Sequence, residues 1–525
     1  MDYVSRTRRR PTFDRFRVFA SRPLGAFVVA FLLGFIPMTL WNLASPISSS
    51  PDEPTHFIRA AAVARGEIFT GPLPSQPRQS EVEVPQYVAW TAARTCYAFK
   101  PDTTANCVPA APKDLGRIVV SGHTAGANSP GWYALTGVPS LFLTGDKGLY
   151  AMRMVNSLLC SAMIGVIFMG LTLLRRPRWA LIAAYAAITP MALYLGGTMN
   201  PNGVEALSAG ALFISLTVLL SRMVIGRRLG AILTSVGAST FLLAGTRSIA
   251  LLWILLALGG ALLLSRRSVL RRRLRQPSVW ITVGIAFVLC VAALLYFLRP
   301  SVVAPAQKFA GAGSTFWDGF TYMIQHTFEF GSGWVGFFGW VDTPAPGFAL
   351  ISWGAVLLGL VVSALIVSHR RARLLIILLA VAFVLVPAVS QAAVISTAGF
   401  IWQGRYTLAL VIMLALASGI VADRYTAGRT SPVFTTTGVF AIWLLAFCHA
   451  YTFFVALKRY VVGETAYISM MFNHAAWQPP LKWEGLMLLF VVFAFALAFV
   501  MTLVFRRVAS PPLPATAPGV PLPTL

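Results

Sequence analysis

Apolar stretches of roughly twenty residues, long enough to cross a bilayer as helices, alternate along this chain with polar ones. Leu24 to Leu43 is the first, followed by Leu149 to Leu174, Trp179 to Gly197 and Val204 to Leu220. The run from Leu229 to Leu264 holds 36 residues. As one helix it would extend ~54 Å against a hydrocarbon core of ~30 Å, so it must fold as two spans with Gly245-Thr246-Arg247 at the turn. Val279 to Leu298, Gly347 to Ser368, Leu374 to Ser390, Tyr406 to Val421, Val433 to Leu457 and Gly485 to Phe505 complete the series. The pattern predicts an all-α, polytopic transmembrane helical bundle of about 12 spans over residues 24–507. A basic N-terminal segment (1–23) precedes it, and a Pro-rich tail (508–525) predicted to be disordered follows.

Three polar stretches are too long for simple connections: residues 44–148, 300–346 and 458–484. Within the first, Asn128 to Leu143 is moderately apolar but short and broken by Pro130, Gly137 and Pro139. It reads as an interfacial or re-entrant helix rather than a crossing.

Composition agrees with the pattern and adds a direction. The chain has 525 residues, 57% hydrophobic and 11% charged, against about a quarter charged in soluble proteins. Its net charge of +25 raises the question of nucleic acid, and the distribution of charge answers it. The segments on one side of the twelve-span scheme carry 26 of the 42 lysines and arginines, but only Asp2, Asp14 and Asp423 of the 17 acids. That is the positive-inside rule, so the excess needs no nucleic-acid partner. Both termini are expected in the cytoplasm of a plasma-membrane protein. The other 14 acids face outwards, which places any acid–base chemistry there.

The outward residues with chemical potential begin at Pro51-Asp52-Glu53-Pro54-Thr55-His56-Phe57. Helical spacing puts His56 four residues after Asp52 and three after Glu53, so one face presents all three. The same residues also fit a capping box from Ser50 to Glu53, with proline at the first helical position. Met199-Asn200-Pro201-Asn202-Gly203 reads as a turn, with Glu205 just inside the next helix. Arg247 and Arg405 each start an apolar span at its outer end, where topology does not favour a cation. A guanidinium there calls for an anionic partner, and a lipid phosphate suits its planar fork. Aromatic residues Trp334 and Trp402 also fit an interfacial belt. Of the five cysteines, Cys96 and Cys107 alone lie in an outward loop and are predicted to pair as a disulfide. The cysteines form no metal-ligand pattern, and the residues single out no cofactor, with a divalent metal left open.

Four motifs carry a resemblance: P-D-E-P-T-H-F after the first span, N-P-N-G after the third, G-W-V-G-F-F-G-W-V-D, and W-Q-G-R-Y. Together they resemble a family of bacterial multi-span membrane proteins that looks like a branch of the GT-C glycosyltransferases, which use lipid-linked sugars. In that class an acidic pair in the first outer loop acts at the reaction centre, which implies catalytic roles for Asp52 and Glu53. Ser129-Pro130-Gly131-Trp132-Tyr133 looks like a variant of the class's Pro-Pro-Leu-Tyr-Tyr element. The expectation is transfer of a sugar from a polyprenyl-phosphate carrier to an extracytoplasmic glycan or lipid acceptor, with Asp52 as general base. Glu53 would orient it, hold the acceptor, or ligate a divalent metal if one is used. Arg405 and Arg247 are the expected phosphate clamp. His56, Trp340, Asp342, Trp402, Gln403 and Tyr406 are the other expected substrate-binding residues. A lipid-glycan flippase and a non-catalytic envelope scaffold are the alternatives.

Overall fold

The computed structural model describes residues 22–175, 177–299, 309–426 and 432–509. The basic N-terminal segment falls almost wholly outside that set, as do the Pro-rich tail from residue 510 and the start of the second long loop.

Every predicted span is helical. In chain order, with two helices of the first loop and one of the second, these are α1 (Pro23–Ala44), α2 (Glu53–Ala64), α3 (Pro130–Gly137), α4 (Gly145–Thr172), α5 (Arg178–Ala187) and α6 (Pro190–Gly197). Then come α7 (Pro201–Ser221), α8 (Gly226–Ala244), α9 (Ala250–Leu263), α10 (Pro277–Leu298) and α11 (Thr327–Val335). The last five are α12 (Gly347–Val367), α13 (Arg370–Ala398), α14 (Leu408–Tyr425), α15 (Pro432–Val461) and α16 (Lys482–Ala509).

Among the described residues, nine helices are long and apolar enough to cross a membrane, and α5 with α6 makes a tenth if that bent pair is one span. The two pieces of the expected Leu229–Leu264 hairpin, α8 and α9, are not among the nine. The expected Trp179–Gly197 span is bent by 52° between α5 and α6. Pro190 is the cause: it cannot donate the helical hydrogen bond, and its ring collides with the preceding turn. Thr189 caps the new helix by accepting from the Ala192 N–H at 3.2 Å.

Burial is graded across the bundle. The spans formed by α7 and by residues 404–425 are each 94% buried, whereas that of α10 is 6% buried and faces outwards. Helices associate in lipid by close packing, without a hydrophobic drive between them. Gly203, Ala206, Ala209 and Gly210 of α7 supply that approach. A Cβ at Gly210 would stand 2.5 Å from Cγ2 of Ile412 on α14.

At one end of the bundle the three long loops meet. The first contains a three-stranded antiparallel sheet, order β1-β2-β3, of Pro72–Leu73, Gln76–Pro85 and Ile118–His123. Val82 and Val84 are buried, whereas Glu81 is partly exposed and Glu83 exposed, the alternation of a strand with one covered face. The all-α expectation contained no such sheet. Cys96 and Cys107 are disulfide-bonded, with Cα atoms 6.1 Å apart. Arg459, from the end of α15, donates to the carbonyls of Tyr97, Lys100 and Thr103 in the loop this bond closes, and to Asp342 of the second loop at 2.9 Å. Thr465 of the third loop donates to Asp102 of the first.

Candidate active site

The segment between α1 and α2 is fixed from several sides before its carboxylates come into play. The Ser48 carbonyl accepts from Trp340 Nε1 at 2.9 Å, and that of Ser49 accepts from the Tyr194 and Tyr460 hydroxyls. The Pro51 carbonyl accepts from Asn200 Nδ2 at 3.1 Å. Asn200 is also the N-cap of α7 through its Oδ1, so the N-P-N-G turn both starts a helix and grips the acidic segment.

The two carboxylates then part. Helix α2 begins at Glu53, one residue later than the spacing argument assumed, and Asp52 stands before it at φ 62°, in the left-handed region. Aspartate tolerates that region better than most residues, and here its side chain makes no capping bond. The expected single face with Asp52, Glu53 and His56 therefore does not form. Of the expected capping box only half is present, with the Glu53 carboxylate accepting from the Ser50 N–H at 3.3 Å.

Glu53 is fully buried and turned into the bundle. Its Oε1 accepts from Arg153 Nε and the Met199 N–H, both at 2.7 Å, and its Oε2 accepts from Arg153 Nη2 at 2.7 Å. Arg153, on α4, spends its remaining donors on the carbonyls of Asn42, Ser45 and Pro46. All five guanidinium N–H groups are used, the condition under which a buried ion pair is tolerable. Sequence reasoning missed Arg153. The signal was there: it sits near the loop end of a span, as Arg247 and Arg405 do.

Asp52 points the other way, with its side chain 52% exposed. Its Oδ2 accepts from Arg405 Nη2 at 3.2 Å. Arg405 is itself buried, shares Nη1 with Gln403 Oε1, and has no partner for its Nε. Its guanidinium carbon lies 5.1 Å from the centroid of the Tyr406 ring, and that of Arg247 lies 4.5 Å from the same centroid. Arg247 donates through Nε to Glu205 Oε2 at 3.1 Å, while Glu205 Oε1 accepts from Trp253.

Two glycine contacts bring these pieces together. A Cβ at Gly131 would stand 2.9 Å from the Gly245 Cα, where Trp132 N–H donates to the Gly245 carbonyl and Ser129 N–H to that of Thr246. The S-P-G-W-Y element is thereby docked on the turn that carries Arg247. Similarly, a Cβ at Gly404 would collide with the Phe330 carbonyl and lie 2.9 Å from the Gly333 Cα, so α11 packs directly on the Q-G-R-Y turn.

His56 Nδ1 is 2.9 Å from the Tyr133 hydroxyl, which accepts from Asn128 Nδ2. Burial, with the charges of Arg247 and then Arg405, lowers the His56 pKa to about 3, so the imidazole is neutral at pH 7. Trp402 stacks edge-on to Tyr406 at 5.4 Å, and its Nε1 is buried without a partner.

The structure thus gathers Asp52, His56, Arg247, Trp402, Gln403, Arg405 and Tyr406, with Glu205 added. Trp340 and Asp342 have their polar groups committed elsewhere, to the Ser48 carbonyl and to Arg459. Through these bonds they tie the first, second and third loops together. Among the described residues no three of His, Cys, Asp or Glu are grouped to hold a metal ion. A lone carboxylate already facing a guanidinium is a poor cation site.

A family model described as a predicted membrane protein, DUF2142, matches residues 35–414, and the chain belongs to that family. No curated protein matches it. Among solved structures, the chain is similar to ArnT from Cupriavidus metallidurans in the apo state, at 13% identity and TM-score 0.47, covering 92% of this chain and 77% of that one. For ArnT from the same organism bound to undecaprenyl phosphate, the values are 14% and 0.41 with the same coverage.

Proposed function

We propose that this member of the DUF2142 family of membrane proteins is a glycosyltransferase that moves a sugar from a polyprenyl-phosphate donor to an extracytoplasmic glycan or lipid acceptor. The observation that carries the reading is the exposed Asp52 carboxylate against buried Arg405, with Arg247 beside the same tyrosine ring. A base and a phosphate-binding pair are then adjacent.

In this reading Asp52 takes the proton from an acceptor hydroxyl, whose oxygen attacks the anomeric carbon of the donor sugar. The bond from that carbon to the phosphate oxygen breaks, and its electron pair leaves with the lipid phosphate. Arg405 and Arg247 stabilise the negative charge as it develops. The Asp52–Arg405 contact belongs to the unliganded site, since a donor phosphate at Arg405 competes for the same N–H and frees the carboxylate. Glu53, saturated by Arg153 and Met199, is assigned to positioning Asp52 rather than to acid–base work. Neutral His56 orients Tyr133 and spares the site a third positive charge.

The test is to incubate purified protein with a panel of polyprenyl-phosphate sugars and follow sugar release or transfer, with Asp52→Asn in parallel. Transfer by the wild type that is lost in the variant supports the reading. No turnover of any donor, or equal turnover by both proteins, sinks it and returns the flippase and scaffold alternatives.

A further inference from the structure

Further along α2, a second pair of arginines meets without a carboxylate. Arg59 lies seven residues after Asp52, two helical turns or ~10 Å along the axis, and its side chain is buried. Its Nη1 donates to the Glu67 carbonyl, and Nη2 donates to the Ile68 carbonyl and, at 2.8 Å, to the Tyr296 hydroxyl. Its Nε is buried with no partner. Arg299, just past the end of α10, donates through Nη2 to the same hydroxyl and to the Gly126 carbonyl, both at 2.6 Å. Two guanidinium nitrogens held by one oxygen at 2.8 and 2.6 Å are at most 5.4 Å apart.

That is like charge brought close. The Tyr296 hydroxyl donates to Gly126 O, and neither arginine has an ion-pair partner among the described residues. The residues that follow Arg299, from Pro300 to Lys308, include no acid. Burial pulls the Arg59 guanidinium below its usual range, and the neighbouring Arg299 charge pulls the same way. The other buried arginines at this end of the bundle each face a carboxylate, Arg153 that of Glu53, Arg405 that of Asp52 and Arg459 that of Asp342. This pair departs from that rule, and its position suggests what completes it. The Arg299 guanidinium lies over the rings of Tyr296 at 3.7 Å and Phe69 at 5.1 Å. Phe69 of the first loop is 73% exposed, and Leu295 and Leu298 are 64% and 71% exposed on α10, a span that is only 6% buried. An exposed aromatic and apolar rim around paired guanidiniums at a span terminus matches the interface between headgroups and acyl chains.

We propose that Arg59, Arg299 and Tyr296 form an anion site for the phosphate of a membrane lipid, drawn from the leaflet at the loop end of the bundle. The phosphate oxygens would take the spare N–H groups of Arg299 and offset the charge of both guanidiniums. Phe69 and the end of α10 would lie along the glycerol and upper acyl chain. The inference is independent of sugar transfer and stands or falls on binding.

The test uses the full chain purified in a neutral maltoside detergent, titrated separately with short-chain phosphatidylglycerol and with inorganic phosphate, with calorimetry as the readout. Arg299 is the residue to change, because Arg59 also holds backbone carbonyls and its loss risks misfolding. The expected result is saturable binding of the lipid, weakened about tenfold or more in Arg299→Gln, as the loss of charge-assisted hydrogen bonds implies. Arg299→Lys should fall between the two. Equal lipid binding by wild type and Arg299→Gln overturns the site. Inorganic phosphate binding as tightly as the lipid overturns the assignment to a lipid, since the rim would then contribute nothing.

Discussion

Asp52 and Glu53 are neighbours in sequence with the same functional group, and the fold treats them in opposite ways. The Glu53 side is closed: no solvent, two carboxylate oxygens fully engaged, and a guanidinium with no spare donor. The Asp52 side is open: a half-exposed carboxylate, one 3.2 Å contact, and a partner arginine with an unfilled Nε. An ion pair that satisfies itself can only hold structure, whereas one left incomplete can exchange its partner for a ligand. The difference lies in the surroundings of each carboxylate rather than in its identity.

The sharpest way to break that comparison is through rate. Asp52→Asn preserves size and removes charge from a half-exposed carboxylate that makes one 3.2 Å contact to buried Arg405, so it should cost less stability than loss of the enclosed Glu53 carboxylate. Transfer from a lipid-linked donor should fall on the order of 10²–10⁴-fold, the usual loss of a general base. A folded Asp52→Asn protein with normal transfer would falsify the open-side assignment. Glu53→Gln should do the reverse. It leaves Arg153 charged and buried without its carboxylate, costing about 3–5 kcal/mol, read as a lower unfolding temperature in detergent. If instead Glu53→Gln is stable and inactive, the base belongs on that side.

Smaller effects sharpen the picture. Arg405→Lys keeps the charge but loses the planar fork. Donor affinity should drop about tenfold or more, measured by equilibrium binding, and unchanged affinity would move the phosphate elsewhere. The smallest expected effect concerns pH. His56 has its pKa lowered from 6.5 to about 3 in the fold, so between those values the unfolded chain binds a proton that the native chain refuses. Stability is then fully present above pH 6.5 and declines as pH falls towards 3. His56→Gln, which can still accept from Tyr133, should flatten that decline, and an unchanged slope would show that His56 does not contribute to it. Buried His123, also lowered to about 3, should leave part of the slope in place.

Much of the scaffold was legible because lipid leaves so few choices: a span must be apolar, helical and about twenty residues long. The length of Leu229–Leu264 alone located the break at Gly245-Thr246-Arg247. The bend at Pro190 was equally visible as a proline inside an apolar run, but the run's overall length concealed it. The sheet was hidden in a loop read for its polarity, although Glu81-Val82-Glu83-Val84 alternates as a strand should. At the site, Arg247 and Arg405 stood out as cations where topology has no use for them. The fate of Glu53 did not, since it depends on the residue at which α2 starts and on a partner a hundred positions away. Asp52, left outside the helix in the left-handed region, no longer follows the turn of about 100° per residue on which the spacing argument rests.

The distances along the chain between these partners also set an order of events. Glu53 and Arg153 are separated by 100 residues, and Asp52 and Arg405 by 353. At a synthesis rate of about 5–20 residues per second, Arg405 emerges roughly 20–70 s after Asp52. During that interval the early spans already contain everything needed to close around Glu53. The nascent protein therefore acquires its frame well before its reactive centre, and an interrupted product ending before the Q-G-R-Y turn would carry the acid with no cation to face it.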